Sequence, residues 1–519
     1  MTREAQLRMR LLGPAVGDRL LGWLGPLAAM AVGGLLRFWD LARPHQLVFD
    51  ETYYVKQGWS MVLYGFEMRN DPVLDAAKQI DQNFTGTNQS VYGTVGDLVV
   101  HPPVGKWLIG WGEQIFGVTS SFGWRFAAAV VGTLSILMVG RIGRRLLGSS
   151  LLGTVAALLL AFEGHHFVHS RTGLLDVFVM FFALAGFAAL LIDRDSSRAR
   201  LARVLAEPLS APSALGPWLG LRPWRWVAGV ALGLCTGTKW SGLFVLAVFG
   251  VMTVLWDAGA RRTVGVRRWL RGAAVRDGPL AFVALVVVAC LTYVASWTGW
   301  FRTSGGYDRH WAVEHPSARF GWVPGALRSL WHYHGEIYQV SRGITSAHDY
   351  QSSPWSWLVQ GRPTSFFYEG PKRGEMGCTV DLCSKAITSV GTPVIWWAGT
   401  IGVVVLLFRW ALRRDWRAGA ILAGFLGLYV PWFGLGDRTI FTFYAVAFAP
   451  FVVLTVTYLC GLAIGPAGAS RRRRRLGLGL TGSFVVASVL VFAFFYPIYT
   501  AWVVPYDFWR IHMWFPSWI

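Results

Sequence analysis

A chain of 519 residues with 54% hydrophobic residues, only 15% charged residues and 28 Trp carries more apolar surface than a water-soluble core can bury. Its net charge of +20 would fit a nucleic-acid partner in a soluble protein, but the Lys and Arg gather at the ends of apolar runs. That is the charge pattern of a polytopic membrane protein, and it excludes both a soluble globular fold and a nucleic-acid partner.

Residues 1–19, with Arg3, Arg8, Arg10 and Arg19, precede an apolar run from Leu20 to Phe38 with no convincing small-residue cleavage site after it. The run is expected to be a signal anchor with a cytoplasmic N-terminus. The loop 40–122 then lies outside and holds Asp50-Glu51 and two Asn-X-Ser/Thr triplets, at Asn83 and Asn88. Within it Val104–Phe116 is too short to span and carries Trp107 and Trp111, as an interfacial helix would. A second span from Phe122 to Val139 ends on Arg141, Arg144 and Arg145. Further spans are expected at Leu151–Phe162, Leu174–Ile192, Trp226–Thr238, Leu243–Trp256 and Leu280–Trp297. The last four are Thr392–Phe408, Ala418–Gly434, Ile440–Leu462 and Leu476–Tyr499. The total is about eleven, with every Arg cluster on the cytoplasmic side.

Between these spans, residues 193–225 hold six Arg and a Pro-containing stretch and are expected to form a loose cytoplasmic loop with Asp193-Arg194-Asp195 solvated. Gly299 to Val390, rich in His, Tyr and Trp, is expected to fold as a cap over the outer face. The chain then divides into a cytoplasmic terminus (1–19), a transmembrane module (20–298), an extracytoplasmic loop domain (299–391) and a C-terminal module (392–519) of about four spans. Cys235, Cys290 and Cys460 sit in apolar runs as small hydrophobes. Cys378 and Cys383 lie in a polar loop and are either a disulfide in an oxidising compartment or two free thiols.

The topology brings Asp50, Glu51, His101, Lys106, Arg125, His165, His166, His169, Arg171, Asp176 and Lys239 to one membrane surface. Ionisable groups there are costly unless they pair or bind something. A set of Lys and Arg with a few carboxylates suits a phosphorylated lipid bearing a sugar, and an Asp beside a Glu has the chemistry of a general base. Plainer readings stand beside these: a solvated carboxylate pair, an Arg125 that snorkels to headgroups, and a Lys239 that anchors at the interface. His165 and His169 have the i,i+4 spacing of a metal pair, but hydrogen-bonding imidazoles are the commoner case and no metal site is assigned. Gly105-Lys106 lacks the upstream Gly and the hydroxyl residue of a phosphate loop.

Taken in order, Asp50-Glu51, His101-Pro102-Pro103-Val104-Gly105-Lys106, Ser170-Arg171 with Leu175-Asp176, Gly237-Thr238-Lys239-Trp240-Ser241-Gly242, and Ser353-Pro354-Trp355-Ser356-Trp357 with Arg362-Pro363 resemble the protein O-mannosyltransferase family, closest to its actinobacterial members. The resemblance implies an all-α polytopic GT-C glycosyltransferase fold and inverting transfer of mannose from polyprenyl-phosphate-mannose to Ser or Thr hydroxyls of secreted or membrane proteins. It implies Asp50 as catalytic base, with Glu51 orienting acceptor or sugar. His101, Lys106, Arg125, Arg171, Asp176 and Lys239 are expected around the donor, and Trp355, Trp357 and Arg362 on the acceptor or cap loop. Expected partners are the lipid-linked donor, the acceptor polypeptides, membrane lipids and, as a further candidate, the Sec translocon. No cofactor is required beyond the donor, and dependence on a divalent cation is left open. The inserted β-trefoil repeats of eukaryotic members are missing, since only about ninety residues join the two transmembrane modules. Two rival functions remain: a GT-C enzyme with a lipid or glycan acceptor, and a lipid-linked sugar flippase, although no internal duplication of the transporter kind is seen.

Overall fold

The computed structural model describes residues 1–14, 17–86, 90–207 and 213–519. Asn88 and Gln89 of the second triplet and the Pro-containing stretch 208–212 lie outside the described residues. Helix α1 (Arg3–Leu12) precedes the first long apolar helix, α2 (Leu21–Phe38). Helix α3 (Glu51–Tyr64) starts at the acidic pair and stops at Gly65, whose φ of +84° a residue with a Cβ seldom adopts. Strand β1 (Met68–Asn70), short helices α4 (Pro72–Ala76) and α5 (Ile80–Thr85), and strand β2 (Tyr92–Gly96) form a small external lobe.

Helix α6 (Val104–Phe116) has the bounds expected of the interfacial helix and leaves Trp111, Ile115 and Phe116 exposed on one side. It crosses α3 at two glycines that leave room for nothing else. A Cβ on Gly58 would come within 2.9 Å of the Lys106 carbonyl, and one on Gly110 within 2.4 Å of the Gly58 carbonyl. Helix α7 (Ser121–Leu147) is capped by the Ser120 side chain and outlasts its apolar run to carry Arg141, Arg144 and Arg145. Helices α8 (Ser150–Ala161), α9 (Gly164–His169), α10 (Asp176–Ala206), α11 (Pro223–Thr238) and α12 (Gly242–Thr263) follow. Helix α13 (Trp269–Ser296) contains π turns at Ala273–Asp277 and Val283–Val287.

The cap contains helix α14 (Gly325–Arg342) and strands β3 (Thr364–Glu369) and β4 (Cys383–Ser389). Then come α15 (Pro393–Arg413), α16 (Trp416–Leu428), α17 (Thr442–Ile464, its first two turns 3-10), α18 (Arg471–Tyr499) and β5 (Val503–Pro505). The antiparallel order β3-β4-β5 returns the C-terminal tail to the cap, so the helical architecture carries two small sheets among the described residues. The main apolar core lies among α7, α8, α10, α12, α16 and α17.

Among the described residues, eight helices are long and apolar enough to cross a bilayer: α2, α7, α10, α12, α13, α15, α17 and α18. The other expected spans are shorter, with α8 at 12 residues, α16 at 13 and α11 at 16. A 12-residue helix rises only about 18 Å, less than a ~30 Å hydrocarbon layer.

The loose loop expected from residue 193 is a different object. Helix α10 runs on to Ala206, and Asp193 and Arg194 are buried. Arg222 turns back to give Asp193 two hydrogen bonds at 3.0 and 2.5 Å, and Arg225 gives it a third at 3.1 Å. Asp257 accepts from Arg222 at 2.8 Å and also from Arg225, while Arg261 holds Asp277 at 2.7 Å. Charges at the end of a packed helix bundle are desolvated, so they pair with guanidinium groups instead of staying in water. Arg225→Ala is expected to cost about 3–5 kcal/mol by removing the buried guanidinium that Asp193 and Asp257 share, which leaves Arg222 alone to serve both. The check is thermal unfolding in detergent, where an unchanged midpoint would contradict a buried network.

Candidate active site

Phe49 enters α3 with φ +48°, a left-handed conformation that a bulky residue seldom adopts. It is held there by stacking on Phe366 (4.7 Å, 12°) and by the edge of Phe443 (5.3 Å, 87°). Asp50 follows at the head of α3 without capping it, and its Oδ2 accepts from the Tyr54 hydroxyl at 3.4 Å.

Its neighbour has the opposite fate. Glu51 is fully buried and takes four donors: Arg125 Nε and Nη2, each at 2.8 Å, the Gly173 amide at 2.8 Å and the Val48 amide at 3.0 Å. The remaining Arg125 protons go to the carbonyls of Leu41 (3.3 Å), Pro44 (3.0 Å) and Gln46 (3.0 Å). Neither group has a hydrogen-bonding position left for a sugar or a phosphate.

Other expected donor-binding residues are engaged in the same way. Lys106 is buried between Glu67 Oε1 and the His101 carbonyl, both at 2.8 Å. Arg171 donates to the carbonyls of Leu36, Arg37, Trp39 and Asp40 at 2.7–3.2 Å, closing the C-terminal end of α2. His165, His166 and His169 are fully buried in α9 and do not line an outer connector. Glu163 caps that helix by accepting the His165 and His166 amides, and His165 Nε2 faces the Phe443 carbonyl at 3.1 Å.

What remains free to act is a smaller group. Asp176, in the first turn of α10, pairs with Lys239 at 2.8 Å, and Lys239 lies 5.3 Å over the Tyr444 ring. His101 packs 6.0 Å from Tyr54. Burial pushes the Asp50 carboxyl up to about 6, partly offset by the Lys239 ammonium and reinforced by Asp176. Burial, then Lys239, Lys106 and Arg438, hold His101 below its ordinary value, so it stays neutral at pH 7. Arg438 is the cation that sequence reading missed. Its Nε is shielded without a hydrogen-bond partner among the described residues, and it lines a cavity of about 380 Å³ with Gln351, Ser352, Pro354 and Thr439. It stands in a short connector between two expected spans, where no motif marks it. Tyr54, Glu67 and Tyr444 were missed too, because each matters only through a partner distant in sequence.

The cap residues split three ways. Trp357 is buried and donates to Oγ of Ser352, a residue that lines the cavity, at 3.0 Å. Trp355 is 79% exposed against Phe433. Arg362 donates to the Ser517 and Ile519 carbonyls and fastens the C-terminal tail. Cys378 and Cys383 form a disulfide.

The profile described as dolichyl-phosphate-mannose-protein mannosyltransferase matches residues 28–268, and that of the C-terminal four-transmembrane region of protein-O-mannosyltransferase matches residues 326–518. A polyprenol-phosphate-mannose–protein mannosyltransferase of Mycolicibacterium smegmatis is 39% identical, over 96% of this chain and 94% of the relative. One from Corynebacterium glutamicum is 34% identical, over 91% and 88%. Among solved structures, the S. cerevisiae protein O-mannosyltransferase Pmt1-Pmt2 complex bound to the sugar donor superposes with a TM-score of 0.71 at 14% identity, covering 99% of this chain and 94% of that one.

Arg125→Lys keeps the charge but loses the two-pronged grip on Glu51 and the three carbonyls. It is expected to destabilise the fold by about 2–3 kcal/mol, read as a lower unfolding midpoint. A wild-type midpoint would mean the pair bears no structural load.

Proposed function

The chain belongs to the dolichyl-phosphate-mannose-protein mannosyltransferase family, and we propose that it moves mannose from a polyprenyl-phosphate carrier to Ser or Thr hydroxyls of polypeptides, with Asp50 as the base. It is a multi-pass membrane protein with the GT-C fold. The observation that carries the assignment of the base is the division of labour at the head of α3, where Glu51 is saturated while Asp50, with a pKa of about 6, is ionised at neutral pH and unengaged except by Tyr54.

The acceptor oxygen attacks the anomeric carbon, its proton goes to the Asp50 carboxylate, and the bond from that carbon to the phosphate oxygen breaks. The electron pair leaves on polyprenyl phosphate, so the step needs no nucleotide and inverts the anomeric configuration. Lys239 and Arg438 supply positive charge for the departing phosphate. Asp176 keeps Lys239 aimed, and neutral His101 offers a hydrogen bond without adding charge.

The site belongs on the extracytoplasmic face of the plasma membrane, with the N-terminus in the cytoplasm. In support, Arg145 pairs with Asp195, Arg144 with Asp18, and Arg198 with the Leu11 carbonyl, so the basic helix ends gather around the N-terminal segment. The disulfide lies with the cap sheet whose Phe366 stacks on Phe49, beside Asp50. Secreted polypeptides would meet such a site as they emerge from the Sec translocon.

Asp50→Asn is expected to reduce mannosyl transfer to a Ser/Thr peptide by about 100-fold or more while the reconstituted protein still retains polyprenyl-phosphate-mannose. Near-normal turnover in that variant would overturn the assignment of the base.

A further inference from the structure

One cluster of ligand-type side chains stands apart from the reaction centre. On α14, His332 and Glu336 are one helical turn apart, and the turn before the cap helix brings Asp308 against both. His332 Nε2 lies 3.3 Å from Asp308 Oδ2 and 3.8 Å from Glu336 Oε1, and one ligand atom from each residue falls within 4.8 Å of the other two. The imidazole is held flat against Trp311, at 4.1 Å and 7° between planes, so its Nε2 is aimed before any ligand arrives. Glu336 Oε2 is shielded from solvent and has no hydrogen-bond partner among the described residues. Two carboxylates that face each other without an Arg or Lys salt bridge repel unless a cation or a proton lies between them.

We propose that Asp308, His332 and Glu336 bind a first-row divalent cation of the zinc class, outside the transfer site, and that the ion fastens the segment 307–314 to α14. One imidazole and two carboxylates form a three-ligand set with room for water, which suits Zn²⁺ or Mn²⁺. Mg²⁺ prefers all-oxygen shells and is disfavoured. None of the three residues stands out in sequence, because Asp308 is remote from the helical pair and no motif links them.

The position gives the ion a task. Tyr333, next to His332 on α14, is buried, donates its hydroxyl to the Asp97 carbonyl at 3.2 Å and accepts the Val99 amide at 3.3 Å. That strand end leads directly into His101. A cation bound to α14 would therefore stiffen the support of the His101 loop without touching the reacting atoms, as a positioning site.

The test is metal counting on the purified full-length protein in detergent, stripped with chelator and then equilibrated separately with zinc and with magnesium at neutral pH. Wild type is expected to retain one zinc per chain after desalting and no magnesium, with a higher unfolding midpoint when zinc is present. His332→Gln and Glu336→Gln are expected to weaken zinc binding more than about tenfold and to lose the zinc-dependent midpoint shift. Their midpoints in chelator should match stripped wild type, which shows that they fold. His315→Gln, on a histidine that also stacks on Trp311, is expected to bind as wild type does. Zinc retained equally by both ligand variants, or absent from wild type, would overturn the proposal. Asp308→Asn replaces either variant that does not fold, with the same readout.

Discussion

The bidentate pair between Glu51 and Arg125 is the interaction on which the surroundings of Asp50 are built. Burying two charges costs several kcal/mol each, and such a pair is tolerated only when its geometry is good and every remaining donor and acceptor is met. Here two backbone amides complete the carboxylate and three carbonyls complete the guanidinium. With the pair itself, those partners come from residues 41–51, from α7 and from the turn before α10, so one ion pair gathers three separate stretches of chain. Asp50, one residue earlier, inherits a fixed position from a neighbour that does no chemistry itself.

The same logic repeats around the site. Lys106 and Glu67 hold the His101 turn, Arg171 closes the end of α2, and the glycine crossing of α3 and α6 sets how closely the two helices approach. Most of the outer-face cations are consumed in this scaffolding. The charge left outside this scaffolding is small and local, with Lys239 and Arg438 near Asp50 and Asp176. A site with few free charges discriminates by where they point, and a leaving phosphate is stabilised most by cations already in place before charge develops on it.

Much of this could be read from residue order. Long apolar runs and Arg clusters give the membrane class, α6 has the expected ends, and the ordered motifs from Asp50 to Arg362 point to the family. The role of each cation was not legible, because pairing is a property of distant contacts. Nothing near Arg125 in sequence announces the carbonyls of Leu41 and Pro44, and nothing near Lys106 announces Glu67. For the same reason Asp193 read as solvated when it is the hub of three Arg contacts, and Arg438 drew no reading at all. Hydropathy also sees composition without path, so the apolar runs do not reveal that α8 and α16 stop after 12 and 13 residues.

The most direct measurement is the pH dependence of mannosyl transfer by the reconstituted protein, wild type beside Lys239→Met. Asp50 works only when ionised, so the wild-type rate should fall as pH drops through about 6. Lys239 favours the ionised form, so its loss should move that acid limb to higher pH in addition to lowering the plateau. An acid limb that stays in place in the variant, or a wild-type rate that does not fall through this range, would contradict Asp50 as the proton acceptor.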